Sequence, residues 1–153
     1  MTHTGGCQCG AVRYRVEGFG EASICHCRMC QKASGNFSIP LAPVEAIDWT
    51  RGERTLWASS NRSKRGFCAA CGTPLTLETD DGSVEVHIAT LDDPTAVHPA
   101  YHANTADQIM TPTELGSLPE AKPDRLAEND AWNAAIVSHQ HPDHDTPDIE
   151  WPR

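Results

Sequence analysis

The sequence predicts a mainly β domain of short antiparallel strands that is cross-linked by zinc. Short stretches of alternating apolar and polar residues, separated by glycine and proline turns, recur up to about residue 103 and are typical of an all-β fold. The length of 153 residues suits one domain. The hydrophobic fraction of 39% indicates a modest core. Seven cysteines, all in close groups, could supply the cross-links that such a core needs.

The individual strands follow from the period-two pattern and from the turn residues around it. Val12, Tyr14 and Val16 lie on one face of the first clear strand. Pro40 interrupts the alternation of residues 37–42 and predicts an edge strand or a bulge. Further strands are predicted at residues 23–25, 46–49, 55–58 and 84–88 and after Pro74. A turn is predicted at 51–53 and a hairpin turn at 80–82. Residues 28–33 are predicted to form a helical turn that is closed by Gly35.

The composition changes after the β region, and it divides the chain into three parts. Residues 1–110 are predicted to form the zinc-binding β domain. Residues 111–137 are predicted to be an irregular stretch followed by a helix, at 124–137, that packs on this domain. Residues 138–153 are rich in His, Asp and Pro and are predicted to be a flexible tail. The alternative for the tail is a metal site formed by His139, His141, His144, Asp143 and Asp145.

Charge and cysteine content narrow the functional classes. The net charge of -9 and the pI of about 5.2 argue against nucleic-acid and anionic-membrane partners. The chain has no apolar run long enough to span a bilayer and no hydrophobic signal segment in its first residues, so we expect a cytoplasmic protein. Seven thiols cannot all pair as disulfides within one chain, and close pairs in a reducing compartment favour metal binding.

Two close cysteine pairs, each beside a glycine, predict a structural zinc site. A closed zinc site takes four ligands in a tetrahedron, commonly two pairs from separate segments. We call this predicted group the four-cysteine site; it consists of Cys7, Cys9, Cys68 and Cys71.

The remaining cysteines, Cys25, Cys27 and Cys30, follow the pattern C-x-C-x2-C and form what we call the three-cysteine site. Three protein ligands and an open position are the usual arrangement of a catalytic zinc. One alternative is a second structural zinc closed by a distant histidine, for which His3, His87 and His102 are candidates. Another alternative joins these three thiols to Cys68 and Cys71 and leaves the first pair spare.

Three thiolates around one zinc ion give a net charge of about -1, which makes the metal a poorer Lewis acid than zinc held by neutral imidazoles. Activating water is therefore not the obvious task of such a site. A soft, sulfur-rich site is better suited to holding a substrate thiolate.

Four segments together resemble the glutathione-dependent formaldehyde-activating enzyme family. They are GGCxCGAV at residues 5–12, CHCxxCxKASG at 25–35, FCxxCGTPL at 67–75 and LDDP at 91–94. The resemblance implies a β-tent zinc fold in which the outer pairs hold structural zinc and the central triplet holds catalytic zinc. It also implies a carbon-sulfur lyase that condenses formaldehyde with glutathione to S-hydroxymethylglutathione.

The sequence departs from this family after Pro99, where an aromatic-rich segment is replaced by YHANTA at residues 101–106. Our hypothesis is that Cys25, Cys27 and Cys30 hold a zinc that binds a small thiol, which adds to an aldehyde. Basic residues would bind the glutathione carboxylates; the candidates are Arg28, Lys32 and Arg65, with Arg62 and Lys64 on the same basic loop.

Several of the candidate residues also have a purely structural interpretation. The basic loop at 62–65 could be a solvated surface, His26 a turn-stabilising residue rather than a proton shuttle, and Trp49 and Trp57 packing residues. The rival hypothesis for the whole protein is a non-catalytic zinc module that binds a protein or a glutathione conjugate. A weaker one is thiol-disulfide exchange at Cys68 and Cys71.

Overall fold

The structure is a computed structural model that describes residues 1–147, and its main feature is one nine-stranded sheet. The strands are β1 (Thr2–Gly6), β2 (Arg13–Phe19), β3 (Ser23–Cys25), β4 (Ile39–Arg51), β5 (Thr55–Ala58), β6 (Ser63–Phe67), β7 (Pro74–Thr79), β8 (Val84–His87) and β9 (Tyr101–Ala103). The α-helices are α1 (Arg28–Ser34), α2 (Pro112–Gly116) and α3 (Pro123–Asn133). Short 3₁₀ turns occupy Ile88–Thr90, Pro94–Ala96 and Thr105–Asp107.

The sheet is almost entirely antiparallel and confirms the predicted mainly β fold. Its strand order is β1-β2-β4-β8-β7-β6-β5, and β3 pairs with β4 beside this path. The exception to the antiparallel pattern is β9, which lies parallel to β3. The predicted hairpin at residues 80–82 joins β7 to β8, and its Gly82 has a φ of 89°.

The strand that contains Pro40 corrects two predictions. Residues 39–51 form one continuous strand rather than two, and this strand lies inside the sheet rather than at its edge. The prolines are accommodated because β4 changes partners along its length. It pairs with β3 at Ile39–Leu41, with β8 at Leu41–Val44 and with β2 from Val44 to Arg51.

Two small apolar cores lie in the domain, and each contains cysteines of one predicted site. The larger core includes Cys7 and Cys68 together with Tyr14, Leu75 and Val86. The smaller core consists of buried Cys25, Cys30, Ile39 and Leu41. The sheet therefore places each sulfur group within its own patch of hydrophobic packing.

Helix α3 forms close to the predicted position, but none of its residues is buried. Leu126 is 40% exposed and Trp132 is 70% exposed. The prediction that this helix packs on the β domain is therefore not met, because its apolar residues are too few and too scattered to form a buried stripe. No helix in residues 1–147 combines the length and the apolar character needed to cross a bilayer.

The described part of the predicted tail, up to residue 147, contacts the β domain. His141 is only 3% exposed, and its backbone N–H donates to the Gln8 carbonyl at 2.8 Å. The Asp145 carboxylate lies 2.8 Å from Arg13 Nη2, and Arg51 donates to the backbone carbonyl of Thr146. These bonds dock residues 141–146 beside the first cysteine pair, whereas the composition predicts a flexible tail for this segment. Residues 148–153 of the predicted tail lie outside the described residues.

Candidate metal centres and the adjoining cavity

The four-cysteine site is assembled as its spacing predicts. The ligand sulfurs of its members all lie within 4.8 Å of one another. The Sγ–Sγ distance is 3.6 Å between Cys7 and Cys9 and 3.9 Å between Cys9 and Cys68. A tetrahedron with Zn–S bonds of about 2.3 Å has edges of about 3.8 Å, whereas a disulfide needs about 2.05 Å. The group thus fits one tetrahedral zinc ion, and all seven cysteines are free thiols.

Local backbone turns hold these sulfurs in place. The Val12 N–H donates to Cys7 Sγ at 3.2 Å, and the Gly72 N–H donates to the Cys68 carbonyl at 2.8 Å. Gly72 has a φ of 78°, a left-handed conformation that a side chain would disfavour. Burial raises the pKa of Cys7 to about 12, so a thiolate at this position needs a cation beside it.

The three-cysteine site lies where β3 leads into α1. Cys25 ends β3, Cys27 caps the helix by accepting from the Cys30 N–H at 3.4 Å, and Cys30 is buried in the first turn. Their sulfurs also lie within 4.8 Å of one another. The cluster contains only these three ligand atoms among the described residues, so neither a closing histidine nor a second use of Cys68 and Cys71 is supported.

The candidate closing histidines have other contacts. His3 packs against Phe19, with ring centroids 4.8 Å apart, and His102 Nδ1 lies 2.9 Å from His26 Nε2. His87 is buried, and desolvation together with the charge of Arg65 lowers its pKa to about 4. His87 is therefore neutral at physiological pH.

Two side chains from segments distant in sequence donate to the sulfurs of the three-cysteine site. Asn104 Nδ2 lies 3.4 Å from Cys25 Sγ, and Arg65 Nη2 lies 3.4 Å from Cys30 Sγ. Asn104 has a φ of 54°, a left-handed conformation that asparagine tolerates better than most residues. Such donors are typical of the outer contacts that orient metal ligands.

The sulfurs of Cys25 and Cys30 affect one another strongly. The contact with Cys30 lowers the pKa of Cys25 to about 5, and the contact with Cys25 raises the pKa of Cys30. Arg65 acts in the opposite direction on Cys30 and lowers its pKa. The first thiolate to form repels the next, so holding three thiolates together requires additional positive charge.

A cavity of about 310 Å³ adjoins α1 and β6 and brings together the three cationic residues predicted to bind glutathione. It is lined by Arg28, Met29, Lys32, Ala33, Trp57, Ser59 and Arg65. Arg65 pairs in register with Trp57 of β5, which places both side chains on one face of the sheet. The cavity therefore combines positive charge with an apolar aromatic wall.

The other basic candidates lie elsewhere. Arg62 forms an exposed ion pair with Asp80 at 2.8 Å, and Lys64 lines a separate depression near the same hairpin. The solvated-surface interpretation therefore holds for this end of the basic loop, and only Arg65 reaches the cavity.

Some residues at the sites were not found by sequence reasoning. Asn104 lies in the segment that departs from the family pattern, and the parallel pairing of β9 with β3 brings it to the triplet. Buried Gln31 donates from Nε2 to the carbonyls of His26 and Asp107, at 2.7 Å each. Trp57, predicted to pack, is 61% exposed and lines the cavity. Neither Gln31, whose neighbours in the chain are Cys30 and Lys32, nor the pairing of β9 left a signal in the local sequence.

The metal-tail alternative receives no support from the described residues. His139, His141 and His144 do not gather with Asp143 and Asp145 into a metal-ligating group there. Asp145 is instead bound to Arg13. The tail and the four-cysteine site enclose a polar cavity of about 400 Å³.

A mainly antiparallel sheet that gathers seven thiols into a group of four and a group of three defines a β protein with two cysteine clusters that could hold metal ions. The chain belongs to the glutathione-dependent formaldehyde-activating enzyme family, whose model matches residues 2–107. It is also similar to the crystal structure of a Rhodobacter sphaeroides protein, a structural genomics target. That similarity has 26% identity and a TM-score of 0.51, and covers 65% of this chain and 99% of the other.

Proposed function

We propose that this protein is a zinc-dependent carbon-sulfur lyase-type enzyme that adds a glutathione-like thiol to a small aldehyde, formaldehyde in particular, to give S-hydroxymethylglutathione. The observation that carries the proposal is the difference between the two sulfur groups. One group already offers the four ligands of a closed site, and the other offers three.

The three thiols fit zinc by donor type and spacing, since Cys25, Cys27 and Cys30 converge within 4.8 Å. When bound, zinc would supply a positive charge that keeps a substrate thiol in its nucleophilic thiolate form. The thiol gives up its proton to solvent on becoming a thiolate, the sulfur bonds to the aldehyde carbon as the carbonyl π pair moves to oxygen, and that oxygen takes up one proton from solvent to give the hydroxymethyl group.

The residues of the cavity would bind and orient the thiol. Arg28 and Lys32 lie one turn apart on α1 and offer cations to the carboxylates of a glutathione-like molecule. Arg65 of β6, the third cation of the cavity, instead lies against Cys30 Sγ, so its charge acts at the sulfurs. Trp57 provides a flat apolar surface for the peptide body, so the cavity would position the sulfur rather than merely attract charge.

A cobalt-substituted protein would test this function. We expect millimolar glutathione to alter the absorption of cobalt in the three-cysteine site, and S-methylglutathione, which has no free thiol, to leave it unchanged. Exchange between formaldehyde and S-hydroxymethylglutathione, followed by NMR, should exceed the uncatalysed rate and should fall to that rate in Cys27→Ser. An unchanged cobalt spectrum together with no rate enhancement would instead favour the non-catalytic zinc module.

A further inference from the structure

The buried guanidinium of Arg65 has an unusual environment. The side chain is only 8% exposed, Nη2 lies 3.4 Å from Cys30 Sγ, and Nη1 is buried without a hydrogen-bond partner among the described residues. An unpaired buried charge is very costly, so such a group normally lies against an anion.

No carboxylate of the described residues supplies that anion. The arginine ion pairs found there belong to other residues: Arg13, Arg54, Arg62 and Arg125. Glu85 lies two strands away, and burial and the negative charge of Cys25 raise its pKa. Neighbouring His87 is either neutral or cationic, so it cannot balance a cation at any pH.

The three-cysteine site supplies the missing negative charge. Three thiolates and one divalent zinc give a net charge of about -1, and one guanidinium brings the total to about zero. Arg65 approaches this group from β6, while the cysteines come from β3 and α1. The contact with Cys30 joins the two across 35 residues of sequence.

We propose that Arg65 is the counter-ion of the three-cysteine site and that its positive charge sets the metal affinity of that site. Arg65 is thus a positioning residue that acts on the metal through Cys30. This assignment separates Arg65 from Arg28, which is exposed and bonds to Gln31 at 3.1 Å. It rests on the proposed metal site but not on the proposed aldehyde reaction.

A balanced site also has a consequence for the fourth ligand. Adding an anionic thiolate to an uncompensated three-thiolate zinc would bring its charge to about -2, which a partly buried site opposes. With Arg65 beside Cys30 the charge of the whole assembly reaches only about -1. The arginine therefore favours a substrate that enters as an anion.

Three substitutions separate charge from hydrogen bonding and packing. Arg65→Lys keeps the charge, Arg65→Gln keeps an N–H donor without charge, and Arg65→Met keeps only the side-chain length. Zinc would be kept in the four-cysteine site, and the cobalt affinity of the three-cysteine site would be measured by competition with a chelator. Partners of metal ligands typically change metal affinity about 10- to 100-fold. We expect losses of that size in the Gln and Met variants and a smaller loss in the Lys variant.

The ranking of the three variants by cobalt affinity decides whether the proposal stands. A Gln variant that binds cobalt as tightly as the Lys variant would assign Arg65 a hydrogen-bonding role. A Met variant that binds cobalt most tightly of the three would assign Arg65 a packing role. Either result overturns the proposal that Arg65 is a counter-ion. Unchanged affinity in all three also overturns it. If the Met variant does not fold, comparing the cobalt affinities of the Lys and Gln variants still tests the role of the charge.

Arg62→Gln, on the same hairpin but paired to Asp80, is the matched control and should leave cobalt affinity unchanged.

The same measurements distinguish this proposal from the proposed function. A wild-type protein with only one metal per chain would overturn both. Two metals per chain and the expected ranking of cobalt affinities, without any thiol-aldehyde turnover, would support the counter-ion role of Arg65 and overturn the proposed enzymatic function.

Discussion

The two sulfur groups of this protein are supported in different ways. The four-cysteine site is held by turns next to each ligand, as in the bonds from Val12 to Cys7 and from Gly72 to the Cys68 carbonyl. The three-cysteine site receives side-chain donors from β6 and from the residue after β9, far away in sequence. Under the proposed function, local support suits a site that stabilises the fold, and side-chain donors from distant segments suit a site that binds a ligand.

The largest effect should come from equivalent substitutions in the two sites. Cys68 and Cys30 are each only 1% exposed, so Cys68→Ser and Cys30→Ser make the same chemical change at equal burial. Structural zinc contributes about 10 kcal/mol or more to folding, which is comparable to the whole stability of a domain. We expect Cys68→Ser to prevent folding or to lower the melting temperature by tens of degrees. Circular dichroism melts and zinc content per chain would measure this.

The comparison predicts a milder result for Cys30→Ser. This variant should lose the metal of the three-cysteine site and all turnover, yet retain one zinc and a cooperative melt. If it unfolds as readily as Cys68→Ser, both metals are structural and the division between the two sites is wrong.

The next effect concerns Arg13, which is 3% exposed and lies between two carboxylates near the four-cysteine site. Asp92 accepts from both Nη atoms, at 2.8 and 2.5 Å, and is 12% exposed, whereas Asp145 of the tail is 45% exposed. Removing a buried partner costs about 3–5 kcal/mol, and removing an exposed one costs less than about 1 kcal/mol. We therefore expect Asp92→Asn to destabilise the protein several times more than Asp145→Asn in urea unfolding. Equal effects would show that the ion pair of Arg13 with Asp145 stabilises the protein as much as the ion pair of Arg13 with Asp92.

Much of this architecture could be predicted from the sequence because it depends on short-range patterns. The spacing of Cys7 and Cys9 and of Cys68 and Cys71 predicted the four-cysteine group, and the pattern C-x-C-x2-C predicted the three-cysteine group. Alternation of Val12, Tyr14 and Val16 marked a strand with a buried face, and the structure buries all three. Each of these signals lies within a few residues, where steric rules act directly.

The parts that could not be predicted depend on pairings between distant segments. The parallel pairing of β9 with β3 brings Asn104 to Cys25, and no pattern in residues 101–104 specifies that partner. The docking of His141, in the predicted tail, depends on Gln8, more than 130 residues earlier, so composition alone indicated disorder. The exposure of α3 was missed because several apolar residues in sequence do not by themselves make a buried stripe.

The acid dependence of stability should follow from the same Arg13–Asp92 contact. Burial alone would raise the pKa of Asp92, but hydrogen bonds from Arg13 and Thr4 outweigh it and lower the pKa below its usual value. A carboxyl group whose pKa is depressed on folding contributes stability that is fully present above its unfolded pKa of about 3.9 and is lost as the pH falls through the folded pKa.

We therefore expect the stability difference between wild type and Asp92→Asn to be constant above about pH 5 and to shrink below about pH 4. Urea unfolding at fixed zinc concentration, repeated across this range, would measure the difference. Release of zinc at low pH affects both proteins, so subtracting their free energies of unfolding isolates the contribution of the Asp92 carboxylate. A difference that grows as the pH falls would contradict the assigned sign.

The smallest effect concerns two glycines, one beside each sulfur group. Gly72 follows Cys71 with a φ of 78°, and Gly35 ends α1 with a φ of 66°; an added Cβ at either position meets nothing within 4 Å. Alanine should therefore cost only the left-handed backbone strain, about 1–2 kcal/mol at both positions. The consequences for metal should differ, because Gly72 lies in the turn that holds Cys68, whereas Gly35 ends α1 five residues after Cys30. We expect Gly72→Ala to speed zinc loss to a chelator and Gly35→Ala to leave it unchanged, at similar melting temperatures. Equal rates of zinc loss in both variants would indicate that the four-cysteine site does not depend on its local turn.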